Sequence, residues 1–174
     1  MTSEQFEPGH WRLSFTEVET DFVLNTLARL GRHYQEDITH MPPALRAYWL
    51  GVVSRTPGAP SKELRELQDD LADARTELRS ERLALVESWL REYELSEERN
   101  PWQVEVTTEE RDEFLSMLND RRMALALELG ITENDMEADL GQIGNETRRN
   151  GILEIDVLGH FILVMLGPQI YRGQ

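Results

Sequence analysis

Apolar and polar residues alternate from Trp11 to Phe15 and again from Trp102 to Val106, the two-residue period of a strand with one covered face. Each run leads into a helix start. Thr16 with Glu19, and Thr107 with Glu110, form Thr-x-x-Glu boxes in which the two side chains satisfy exposed amides at a helix N-terminus. Phe22, Val23, Leu27 and Leu30 then recur at helical spacing to about Gln35, and Phe114, Leu115, Leu118 and Leu125 do so in the later helix. One offset superposes Trp11 on Trp102, Thr16 on Thr107, Glu19 on Glu110, Asp21 on Asp112, Leu24 on Leu115 and Leu27 on Leu118. Duplication and convergence of two strand-cap-helix units both account for it. An isolated strand cannot satisfy its backbone groups, so the two runs are expected to pair and to bring their helices together.

Between the units, Pro42 and Pro43 open a second helix whose covered side is Leu45, Tyr48, Trp49 and Val52. The stretch 56–61, with Pro57, Gly58 and Pro60, reads as a loop or hinge. A long helix follows from Lys62 to about Leu95. In it Leu64, Leu71, Leu78 and Leu85 repeat every seven residues, although the repeat fails at Glu81 and Ser88. The broken repeat favours a seam within the molecule over a dimer zipper, and Leu64, Leu71 and Leu78 are the residues of a candidate interaction face. A homodimer through that face stays open.

Thr132 with Asp135 starts a short acidic helix that is predicted to end near Gly141 to Gly144, and Asn145 to Gly151 reads as a polar loop. Ile152 to Leu166 is apolar around most of its circumference, which predicts a central helix. Residues 1–9 are polar and are expected to be a flexible end. The whole 1–174 is read as a single mainly α domain, a helical bundle carrying a small two-stranded β-ribbon.

Composition narrows the function. The 33 acidic against 18 basic residues give a formal charge of −15, which repels nucleic-acid phosphates and anionic membrane surfaces. The absence of cysteine removes disulfides, thiolate zinc sites and cysteine nucleophiles. Charged residues and Pro168 interrupt the C-terminal apolar stretch, and Met1 to Gly9 lacks the basic and apolar parts of a signal peptide, so a cytoplasmic protein is expected.

Catalytic signatures are sparse. No phosphate loop, nucleophile elbow or dinucleotide fingerprint is present. Carboxylate pairs such as Glu63 with Glu66 and Glu109 with Asp112 have the spacing used by helical magnesium enzymes, but they sit in first helical turns, where the dipole already favours acids. His33, Glu36 and His40 are weak metal candidates that fit a solvated helix end as well, and no cofactor is expected.

Asn119, Asp120 and Arg122 stand out, since they interrupt the apolar run Leu118, Met123, Leu125, Leu127 and Leu129. Arg122 could hold a carboxylate bidentately with Asn119 and Asp120 orienting it, or the group could tie the helix to its neighbours.

The run Leu118-Asn119-Asp120-Arg121-Arg122-Met123-Ala124-Leu125, followed by Leu129-Gly130-Ile131-Thr132, resembles an uncharacterised bacterial domain-of-unknown-function family. Pro42-Pro43-Ala44-Leu45-Arg46-Ala47-Tyr48-Trp49 is similar to its earlier segment. The resemblance covers about half of the chain. It implies a helical fold without assigned activity and a link to regulated proteolysis, because some members are encoded beside the Clp protease adaptor. Its Asn-Asp-x-Arg positions fall on Asn119, Asp120 and Arg122, whereas the helix with Gly159 and His160 has no counterpart. The expected function is a non-enzymatic protein-interaction or regulatory module; the alternative is a small-molecule binder or enzyme with an inter-helix pocket around Asp120 and Arg122.

Overall fold

The computed structural model describes residues 1–50, 62–96 and 102–167, the side chains of Leu64 and Gln68 aside. The expected loop at 56–61, the expected covered residue Val52 and the side chain of Leu64 lie outside what is described.

Strands β2 (His10–Phe15) and β3 (Trp102–Thr107) pair antiparallel, as their alternation predicts, with Trp11 opposite Val106, Leu13 opposite Val104 and Phe15 opposite Trp102. All six of these side chains are buried, so the register places apolar against apolar on one face. Phe15 stacks on Trp102 with ring centroids 5.3 Å apart. On the outer face Arg12 reaches Glu105 at 2.7 Å.

The sheet has three strands rather than two. The expected flexible end forms β1 (Thr2–Glu7), an antiparallel partner to β2 at the sheet edge. Almost all of β1 is exposed, so its sequence carries no hydrophobic alternation. Its local signal is Pro8-Gly9, where Gly9 takes φ 81° and turns the chain into β2.

Helix α1 (Glu17–Gln35) follows β2, and α4 (Thr108–Leu129) follows β3, each through a fully formed capping box. The offset of 91 that carries Trp11 to Trp102 extends into burial: Thr20, Val23, Thr26, Leu27, Leu30 and Tyr34 are buried in α1, as are Arg111, Phe114, Met117, Leu118, Arg121 and Leu125 in α4. Because Phe15 also pairs with Trp102 and Trp11 with Val106, the two units are related by a local two-fold through Leu13 and Val104.

Helix α2 (Pro43–Trp49) starts with Pro43 in its first turn, and it buries Leu45 and Trp49. Helix α3 (Lys62–Leu95) packs mainly on α1, with Arg79, Arg82, Val86 and Trp89 inward. At roughly 1.5 Å per residue its 34 residues span about 50 Å. None of its described side chains before Arg79 is buried.

Helix α4 lies at the centre, in contact with α1, α2, α6 and β3. The short α5 (Glu133–Glu137) ends earlier than the glycines predict, and a separate 3-10 turn, Leu140–Gln142, follows. Asn145 to Gly151 is not a loop: α6 (Glu146–Leu166) starts there, because Asn145 accepts a hydrogen bond from the Arg148 amide at 3.1 Å. Nor is α6 central. It buries Gly151, Ile152, Ile155, Leu158, Phe161 and Met165 on one side and leaves Leu153, Val157, Leu163 and Leu166 exposed.

Each cap serves a separate unit. Replacing Thr16 or Thr107 by Ala should each lower the unfolding free energy by about 1 kcal/mol, and the double variant by roughly the sum, measured by urea denaturation.

Candidate functional site

A helix advances about 100° per residue, so Asn119 and Arg122 share one side of α4 while Asp120 faces the other. The structure keeps this separation. Asp120, 3% exposed, accepts the Tyr34 hydroxyl of α1 at 2.9 Å and the Tyr48 hydroxyl of α2 at 2.7 Å. Arg82 of α3 forms a close buried ion pair with the same carboxylate and gives its Nε to Glu113 at 2.9 Å. One side chain thus joins α4 to three other helices. Asp120 does not orient Arg122.

The electrostatics follow from burial. Desolvation, and then the adjoining Asp120 charge, push the Tyr34 and Tyr48 phenols far above their usual range. Burial works against the Arg82 cation, yet Asp120 and Glu113 outweigh it and hold its pKa up. These groups stay neutral, neutral and charged across ordinary pH, which suits them to binding the fold and not to transferring protons.

Other arginines act at helix ends and between helices. Arg79 donates to the His33 and Glu36 carbonyls at 2.6 and 2.7 Å, where α1 leaves carbonyls without helical partners. Arg111 reaches the Met165 carbonyl at the end of α6 while lying 4.1 Å from the Trp11 ring centroid. Arg121 and Arg29 converge on Glu154 of α6 at 2.8 and 3.0 Å.

His33 and Glu36 line a polar cleft of 280 Å³ with Arg29, Arg32, Arg121 and Glu128. Burial holds the His33 imidazole below its usual range although Glu128, 3.3 Å away, favours its cation. His40 is exposed in a separate 3-10 turn, Ile38–His40, and does not line the cleft. Among the described residues no group of three His, Asp or Glu side chains is placed to hold a metal ion.

On the opposite side of α4, Asn119 and Arg122 line a 240 Å³ open pocket, with α5 and Ile155 of α6 on its other walls. Of the α3 stripe, Leu71 and Leu78 are half-buried, and Leu67 between the heptad positions is 48% exposed.

Tyr34, Tyr48 and Arg82 were not among the candidates because they lie 86, 72 and 38 positions from Asp120. A local signal existed for Arg82: counting back from Trp89 and Val86 in steps of three and four reaches Arg82 and Arg79, placing both on the inward stripe.

Because the folded tyrosines resist ionisation, the unfolded chain loses these protons first. Stability is therefore full below pH ~10, where unfolded tyrosine titrates, and falls as pH rises above it. A Tyr34→Phe/Tyr48→Phe variant should be less stable at pH 7 but should lose less on going to alkaline pH, as read from denaturation midpoints.

A scan against protein-family models and searches of curated proteins and of solved structures find no match to this chain.

Proposed function

We propose that this chain is a non-enzymatic, cytoplasmic protein-interaction module. The observation that carries the reading is the outer side of α6. Leu153, Val157, Leu163 and Leu166 are 44%, 38%, 69% and 62% exposed, which leaves large apolar side chains along the length of one helix in water. Large exposed apolar side chains, here interspersed with the exposed Asp156 and His160, are the material of a contact site. The outward half of α3, with Leu67 exposed and Leu71 and Leu78 half-buried, offers a second contact of the kind the heptad stripe suggests.

No helix among the described residues is long and apolar enough to cross a membrane. That supports a protein rather than a spanning lipid environment for α6. The occupant we favour is the apolar helix face of a different protein. A second copy is disfavoured because each chain carries −15, and pairing would bring the two charges together. The resemblance to a family with members encoded beside the Clp protease adaptor makes a component of regulated proteolysis the first partner to seek.

The test is capture of partners by the tagged chain from its native lysate, beside a Val157→Asp/Leu163→Asp variant. A stoichiometric protein should be retained by the parent and reduced at least about tenfold by the variant, corresponding to about 1.4 kcal/mol of binding, at an unchanged unfolding midpoint. Equal retention by both, or self-association alone, would overturn the reading.

A further inference from the structure

The four buried arginines, Arg79, Arg82, Arg111 and Arg121, each place their guanidinium on a carboxylate or carbonyl. Arg122 breaks this pattern. Its guanidinium makes no hydrogen bond to the described residues, and no carboxylate among them lies within ion-pairing distance. The guanidinium lies over Gly159 of α6, where a Cβ would stand 3.7 Å from Cζ and Nη2. A guanidinium without a protein partner, on a residue that lines a pocket, is suited to a carboxylate.

The pocket in front of it has three chemical parts. Arg122 and Asn119 supply donors from α4, and Glu133 of α5 supplies a negative charge facing the same 240 Å³. The remaining wall is largely apolar, made by Met123, Ala126, Ile131, Met136 and Ile155. At ~30 Å³ per water the volume equals about eight waters, which accommodates a molecule of leucine's size and falls below the ~300 Å³ at which pockets for larger metabolites begin. A monocarboxylate alone would leave Glu133 as an adverse neighbour, and an amine alone would leave Arg122 unpaired. A ligand bearing both charges and an apolar tail meets each part.

We infer that this pocket binds a free α-amino acid with a medium-sized apolar side chain, its carboxylate on Arg122 and Asn119, its ammonium toward Glu133 and its side chain among the methionines and isoleucines. The inference is independent of the protein-binding surface on α6. It also separates Arg122 from Asp120, which serves the opposite side of the helix and contributes nothing to recognition.

The test uses the full chain with methyl-labelled methionine, since Met123 and Met136 both line the pocket. Leucine should shift both methyl resonances saturably at millimolar concentration. 4-Methylpentanoate, which lacks the ammonium, and 3-methylbutan-1-amine, which lacks the carboxylate, should each bind at least about tenfold more weakly. Arg122→Gln should abolish the preference for leucine over the amine, and Glu133→Gln the preference for leucine over the acid. The ligand comparison on the parent chain needs no variant to fold. Absence of a saturable methyl shift with leucine, or equal binding of leucine and either analogue, would overturn the inference.

Discussion

The carboxylate of Asp120 sets the arrangement of the bundle. A buried charge is costly unless its oxygens are supplied with donors, and here the donors come from three separate helices: Tyr34 on α1, Tyr48 on α2 and Arg82 on α3. Displacing any one helix removes a donor from a site that water cannot easily refill. Hydrophobic packing of Leu27, Trp49, Val86 and Leu118 is tolerant of sliding by comparison, because apolar contact has little direction. The polar junction fixes which sliding position is adopted, and the apolar core supplies most of the driving force.

The two strand-cap-helix units explain why that junction lies on α4 and not on α1. Their strands pair about a local two-fold and their caps are equivalent, yet their helices differ where the offset brings Arg29 and Leu30 onto Asp120 and Arg121. Arg29 is exposed and reaches Glu154 from outside, whereas Asp120 and Arg121 are buried. Charged residues at inward positions of α4 therefore bind neighbours on both flanks: α1, α2 and α3 through Asp120, α6 through Arg121 and Glu154. The two units differ because only α4 carries charge at inward positions. Arg122 then faces away from this network into the open pocket.

Much of the architecture was legible because it is written in local chemistry. Alternation located β2 and β3, threonine and glutamate boxes located the starts of α1 and α4, and prolines located α2. What was missed has equally specific causes. β1 is solvated on both faces, so only the Pro8-Gly9 turn announces it. The start of α6 rests on a single Asn145 cap within a polar run, and its apolar circumference suggested a central position because exposed leucines and buried leucines look alike in sequence. Asn119, Asp120 and Arg122 stand out in the sequence as polar among apolar neighbours, and helical spacing separates Asp120 from the other two, but the partners of each face come from distant segments that spacing does not reveal.

A double-mutant cycle on Asp120→Ala and Arg82→Met tests the central role of the junction most directly. Asp120→Ala leaves the buried Arg82 with Glu113 as its one remaining carboxylate, and Arg82→Met leaves the buried Asp120 charge with the two phenol donors alone; each should cost about 3 kcal/mol in denaturant unfolding. The double substitution removes both charges. It should be no less stable than either single variant, giving a coupling of several kcal/mol. Additive losses, with the double variant the least stable by the sum, would mean that Asp120 and Arg82 contribute separately and that the four helices are not organised around a shared carboxylate.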